Sequence, residues 1–296
     1  MHLVRRDPHP CGVDRSRWRR EDLLAQCPWL GLRTPQGLGH LLGRLGISYQ
    51  RGRHYLHSPD PDYDAKLAAV ATAWQAAREA PETQVLLYLD EVTVCRQPTL
   101  APAWATRDGD QPRAQRSYRA DTETRILGAL NAVTGVLHSV RAAKIRLPIL
   151  RTFFQTLVAA YPERTLTVVL DNWPVHFHPD LLVALVPQRH PFPYYLSASW
   201  PRAPQPTAVA QWGHLAWPIQ LLPLPTYASW ANPIEKVWRK LRQELGHLHP
   251  WADDLPRLRA ELDRWLAEYQ EPSPDLLRYV GLATRDYFLS CHYLKA

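Results

Sequence analysis

Three acidic residues stand where the local pattern of the chain changes. Asp90 follows the apolar run "VLLYL" (85–89) and Asp171 follows "LTVVL" (166–170). Glu235 lies three residues after Asn232 in "PTYASWANPIEKVW" (225–238). A short unbroken apolar run marks a strand covered on both faces, so both aspartates are expected at the ends of central strands in an α/β sheet. Ligands gather at the carboxyl ends of such strands. Two carboxylates about 4 Å apart repel by about 1 kcal/mol in water and about 4 kcal/mol at an effective dielectric of 20, an arrangement that a cation relieves. Hard divalent ions such as Mg²⁺ take carboxylate oxygens and leave room for substrate phosphates. Two of them about 3.5–4 Å apart suit an in-line displacement at phosphorus.

The residues alone leave a second reading of Glu235 open. Asn232 is a good N-cap, Pro233 suits the first helical position, and a glutamate three residues after the cap can close the helix end. Glu235 can also pair with Arg239 one turn on, for a few tenths of a kcal/mol. Helical spacing places Ile234, Val237, Trp238, Leu241 and Leu245 on one stripe, with Glu235 at its edge, where a ligand would face a cleft. Arg239 and Arg242 fall near the Glu235 side, to hold phosphates or to form a solvated face. Glu91, Asn172, His176 and Asn232 are expected beside the ligands rather than among them. Glu91 points to the opposite strand face from Asp90. His176 either orients a water or phosphate or is an ordinary loop histidine, and His178 is structural.

These residues need a scaffold. Helices are expected at 63–80, 147–160 and about 252–269, and strands near 100–106, 125–132 and 135–142, the last two joined by a Thr134-Gly135 turn. "PIQLLPLP" (218–225) reads as a further short strand. Residues 187–218 hold seven prolines and six Phe, Tyr or Trp, which suggests an ordered loop packed by its own aromatics. Near the N-terminus, Thr34 caps and Pro35 starts a helix whose Leu38, Leu41, Leu42 and Leu45 follow the i, i+3, i+4, i+7 pattern. A shorter helix with Trp18 and Leu23 inward precedes it, so the pair suggests a helix-turn-helix.

Charge agrees with a polyanionic partner. The 296 residues carry a net charge of +7, and residues 1–54 hold ten Arg against four acids, or +6 of it. That is the electrostatic footprint of nucleic-acid contact, although a solvated Arg-rich face has the same composition. Gln36, His40 and Arg44 form the polar face left for a groove, and Arg51 and Arg53 would follow the backbone. No apolar run is long enough to span a bilayer, and the N-terminus has no signal-peptide core. Four scattered cysteines form no C-x-x-C pair, which fits a reducing cytoplasm and gives no zinc signature.

The set "LYLDEVTV", "VVLDNWPVHFH" and "LPLPTYASWANPIEKVWRKLRQEL" resembles the DDE transposases of the mariner-like superfamily, in its bacterial insertion-sequence 630 branch. Their Asp ending the first strand, Asp-Asn with a His four residues after the Asn, and Asn-Pro-x-Glu before a Trp match Asp90; Asp171, Asn172 and His176; and Asn232, Pro233, Glu235 and Trp238. The resemblance covers about residues 12 to 282. It implies an RNase H-like domain (a mixed five-stranded sheet flanked by helices) over 84–296, with the Pro- and aromatic-rich insertion at 187–218. A linker and helix would occupy 57–83, and a small all-α helix-turn-helix unit 1–56. It also implies Asp90, Asp171 and Glu235 as ligands of two Mg²⁺ or Mn²⁺ ions, with Glu235 both capping its helix and binding metal. The implied reaction is cleavage of double-stranded DNA at transposon inverted repeats and joining of the freed 3′-hydroxyl to a TA-containing target. It would be carried out by a homodimer on DNA in the bacterial cytoplasm, at the nucleoid. The chain departs from the family in two ways: the 171-to-235 separation is 64 residues, longer than usual, and only one helix-turn-helix fits where two are usual. The alternatives are a catalytically silent DNA-binding relative and a nuclease that cuts without joining.

Overall fold

The computed structural model describes residues 3–49, 58–107, 109–177, 181 and 219–284. The 187–218 insertion, His178, Arg51 and Arg53 lie outside the described residues. The chain divides into two compact units, Met1–Tyr55 and Leu56–Ala296.

In the first unit, α1 (Arg20–Gln26) and α2 (Pro35–Arg44) pack through buried Leu23 and Leu38. Thr34 caps α2, its hydroxyl accepting from Gly37 N–H at 3.1 Å, and Pro35 takes the first turn as expected. Gln36, His40 and Arg44, spaced by four, are all exposed on α2. Trp18 departs from the expectation. It precedes α1 instead of lying in it, and its indole N–H donates to the Arg6 carbonyl at 2.9 Å.

The second unit is built on five strands: β1 (Gln84–Cys95), β2 (Glu123–Asn131), β3 (Leu137–Ala142), β4 (Thr165–Leu170) and β5 (Ile219–Pro223). Their order is β3-β2-β1-β4-β5. The β1–β2 and β2–β3 pairs are antiparallel, and β1–β4 and β4–β5 are parallel. The central strands are apolar on both faces because both are covered. Val85, Leu87 and Leu89 pack with α4 (Leu147–Ala160) on one face. Leu86, Tyr88, Val92 and Val94 face α3 (Tyr63–Glu79), α5 (Ile234–Leu241), α6 (Leu255–Ala267) and α7 (Pro274–Val280) on the other.

Two strand expectations need correction. β1 does not end at Asp90 but runs on to Cys95. Beyond Asp90 it keeps β2 as a partner on one side only, and buried Val92 and Val94 alternate with half-buried neighbours. The segment 100–106 forms no strand. Pro98 and Pro102 cannot donate to a ladder, and that disfavours strand pairing here.

Gly128 on β2 sets the seat of α5. A Cβ there would stand 2.5 Å from Cη2 of Trp238, which is fully buried. Gly128→Ala is therefore expected to cost about 1–3 kcal/mol through overpacking. Chemical denaturation would read this as a lower midpoint with an unchanged slope. An unchanged midpoint would mean that Trp238 shifts freely.

Candidate active site

The register of the parallel pair brings two of the acids together. Tyr88 aligns with Val169, so two places further on Asp90 stands beside Asp171. Strand alternation puts Asp90 on the sheet face that carries Tyr88, and Asp171 follows directly on the end of β4 beside it. Helix α5 packs on that same face through Ile234, Val237 and Trp238, with Glu235 in its first turn. All three acids therefore come to one end of the sheet.

Two of the three acids have a donor of their own. Asp90 Oδ2 accepts from the Trp238 indole N–H at 3.1 Å. Asp171 Oδ1 accepts from the Trp173 backbone N–H at 3.0 Å and lies 3.0 Å from Nδ1 of His176, in an ion pair whose N–H is not aimed straight at the oxygen. The Nε2 of His176 lies 3.0 Å from Glu91 Oε1. His176 is wholly buried between these carboxylates. Arg242 and Arg239, both exposed on the Glu235 side, lower the field at that carboxylate.

The titration behaviour follows. Burial, then the charge of Glu235, pushes the Asp90 carboxyl up to about 8. Burial also holds Glu235 above its usual value against the pull of the two arginines, and Asp171 adds to the rise. Burial works in the same direction on Asp171, but His176 outweighs it and leaves that carboxyl low. Burial opposes a charge on His176, yet Asp171 and Glu91 raise it to about 9. In the protonated form both ring nitrogens donate.

The loops are fastened by residues that the sequence suggested for other work. Asn232 does not cap α5, which begins without any side-chain capping bond, from Glu235 or otherwise. The Asn232 amide instead donates to the Leu89 carbonyl at 3.2 Å, one residue before Asp90. Asn172 donates to the Leu224 carbonyl at 2.8 Å and ties the end of β4 to that of β5. Residues 58–62, expected as part of a linker, grip the loop before α5. The Ser58 hydroxyl donates to the Thr226 carbonyl at 2.6 Å, and Asp60 accepts from Thr226 N–H at 2.8 Å and pairs with Lys66 at 2.7 Å. The roles of Trp238, Gly128 and Asp60 were not read from the sequence. Only the aromatic after Asn-Pro-x-Glu offered a signal.

Among the described residues, no three His, Cys, Asp or Glu side chains are gathered closely enough to hold a metal ion as they stand. The donor set nonetheless suits a hard divalent cation. It is made of carboxylate oxygens gathered at one end of the sheet, and Asp90 is raised first by burial and then by the charge of Glu235, which a bound cation would offset. Buried Asn232 Oδ1 is also without a partner. A cation drawing the three side chains inward would relieve their repulsion.

Comparison with known proteins comes to the same place. A family model described as "DDE superfamily endonuclease" matches residues 85–259, more than half of the chain. The insertion element IS630 uncharacterized 39 kDa protein of Shigella sonnei is 24% identical over 251 residues, covering 83% of this chain. The chain spans 63% of the length of that relative. The Mos1 mariner paired end complex with Mn superposes with a TM-score of 0.57 at 12% identity, over 93% of this chain and 73% of that one. The Mos1 strand transfer complex gives 0.53 at 12% identity, over 95% and 78%. At such identity the likeness establishes the fold, an RNase H-like mixed sheet with helices on both faces. Among the described residues no helix is long and apolar enough to cross a membrane.

A folded Asp90 that ionises near pH 8 keeps a proton that the unfolded chain releases near pH 4. Its contribution to stability is thus full at low pH and is lost as pH rises toward 8. His176, raised from 6.5 to about 9, acts in the same direction at higher pH. In EDTA the protein should lose on the order of a few kcal/mol between about pH 5 and 8. Asp90→Asn should flatten that slope and melt above wild type at about pH 8. Parallel profiles for the two proteins would show that the acid carries no such cost.

Proposed function

Since the chain belongs to the DDE superfamily endonucleases, we propose that it is a transposase that cuts DNA at transposon ends and joins the freed 3′-hydroxyl to target DNA. The observation that carries this reading is geometric: Asp90, Asp171 and Glu235, three acids from distant parts of the sequence, are brought to the carboxyl end of one parallel strand pair by its register and by the helix packed on it, where Glu235 and Asp171 add to the charge cost of Asp90. The insertion-element relative and the Mos1 paired-end and strand-transfer complexes support it.

In this reading the three carboxylates hold two Mg²⁺ or Mn²⁺ ions. When bound, these supply the Lewis acidity for in-line displacement at phosphorus. Trp238 and the Asn232 tether keep Asp90 in register with the strand beside it. Arg239 and Arg242, exposed one and two turns along from Glu235, take DNA phosphates on that side. The first unit, Met1–Tyr55, binds DNA. Gln36, His40 and Arg44 face a groove, and Arg51 and Arg53 reach the backbone just beyond. The substrates are the inverted repeats of the element and a TA-containing target, handled by a homodimer in the bacterial cytoplasm.

A labelled duplex carrying the inverted repeats that flank the gene tests the chemistry. Wild type should cleave and join it with Mg²⁺ or Mn²⁺. Asp90→Ala, Asp171→Ala and Glu235→Gln should each fall to background while still binding DNA. Glu235 makes no capping bond, so the amide variant keeps the helix and loses only the ligand. Near-normal cleavage by Glu235→Gln removes Glu235 from the site. Cutting without joining makes the chain a nuclease, and binding without cutting makes it a silent relative.

The basic first unit should supply much of the affinity through counterion release, at about 0.9 in log–log salt slope per phosphate contact. Titration of duplex by the full chain and by a chain starting at residue 57, at two salt concentrations, should give the shorter protein weaker binding and a flatter slope. Equal affinity and slope would leave residues 1–56 as a solvated surface.

A further inference from the structure

The three acids do not account for Glu91, a carboxylate next to Asp90 whose partner is neither a metal ligand nor solvent. Alternation sends Glu91 to the sheet face opposite Asp90. From there its Oε1 reaches Nε2 of His176 at 3.0 Å, while Nδ1 of the same ring lies 3.0 Å from Asp171 Oδ1. The ring is wholly buried, and Trp173 packs edge-on against it with centroids 5.2 Å apart and planes at 83°. Flipping the imidazole would turn C–H groups toward both carboxylates, so the two contacts fix its orientation together.

The consequence falls on Asp171. Its Oδ1 is already engaged by His176 and by the Trp173 backbone N–H, whereas among the described residues no donor reaches its Oδ2. The side chain is 55% exposed, and among the described residues its hydrogen-bonding and ionic contacts are these two at Oδ1.

We propose that Glu91 and His176 form a positioning clamp on Asp171, which holds Oδ1 and presents Oδ2 alone to a divalent cation. The proposal rests on the metal-dependent reading above and adds to it two residues that never touch metal or DNA. Glu91 anchors the ring, the ring turns the carboxylate, and the carboxylate meets the ion with one oxygen. Partners that orient a ligand from behind in this way typically change metal affinity by about 10–100-fold when removed.

Mn²⁺ binding to the full chain without DNA, followed by electron paramagnetic resonance, tests this apart from catalysis. Glu91→Ala should weaken Mn²⁺ binding by about 10–100-fold, and the Mg²⁺ concentration for half-maximal cleavage should rise to match. DNA affinity in EDTA should not change. Glu91→Gln should recover most of the Mn²⁺ affinity, because its amide oxygen still accepts from Nε2–H. Wild-type Mn²⁺ affinity in Glu91→Ala overturns the clamp. So does a weakening that Glu91→Gln fails to rescue while both variants melt early, since that is the mark of a merely structural pair. Asp171→Ala separates the two levels: if it binds Mn²⁺ like wild type, the metal site itself is wrong, whatever Glu91→Ala does.

Discussion

Carboxylates gathered on one face of a sheet repel, and most of the second unit can be understood as the means of holding them there. A buried acid is tolerated when it is paired, hydrogen-bonded or neutral. Asp90 uses the last two, with an indole donor on Oδ2 and a carboxyl raised to about 8. Asp171 is more exposed and is paired, and the buried His176 outweighs the partial desolvation of its carboxylate. Glu235 sits where Arg239 and Arg242 reduce the field without closing on it. The compensation is graded, and it is weakest for the acid nearest the centre of the sheet. A fold selected for stability alone would put an apolar residue at that position.

Repulsion also has to be resisted by the backbone, and the chain fastens its loops at the carboxyl end of the sheet. Asn172 bonds across from β4 to the end of β5, and Asn232 bonds from the start of α5 to Leu89 on β1. Ser58 and Asp60 hold Thr226 in the loop between β5 and α5, where Tyr227 adopts a left-handed φ of 56°. Burial opposes the charge of Asp60, but Lys66 and two backbone N–H groups hold its carboxyl down at about 2. The Asp60 carboxylate therefore stays charged across the whole range in which Asp90 and His176 titrate.

Much of this was legible in the sequence, and the part that was not has a common cause. The runs 85–89 and 166–170 announced central strands because burial on both faces leaves no polar residue to interrupt them. Thr34-Pro35 announced a helix start because both partners of its capping bond lie within four residues. Asn232 carried an equally good capping signal and was misread. Its amide found a carbonyl 143 residues away in sequence, and local pattern does not register such a competitor. The partners of His176 tell the same story: Glu91 is 85 residues distant, so the sequence placed the histidine beside the ligands but left open whether it orients a water or phosphate or is an ordinary loop residue. The length of β1 was missed for another reason. An acid after an apolar run reads as an end, although the alternation in "EVTVC" was that of a strand still covered on one face.

The third acid explains why one of the three comes from a helix. Glu235 and Trp238 are three residues apart on α5, one near-turn, so the helix that carries the third carboxylate also donates to the first. Gly128 lets the Trp238 ring lie against β2 beside Asp90, the residue with which Gly128 itself is paired in the ladder. Any movement of α5 along the sheet would shift Glu235 and pull the donor off Asp90 in the same step. Two strands could fix Asp90 against Asp171 by register alone. A helix is fixed against a strand through side chains, and here Trp238 over Gly128, with Ile234 and Val237 packed beside it and the Asn232 tether at the helix start, does so.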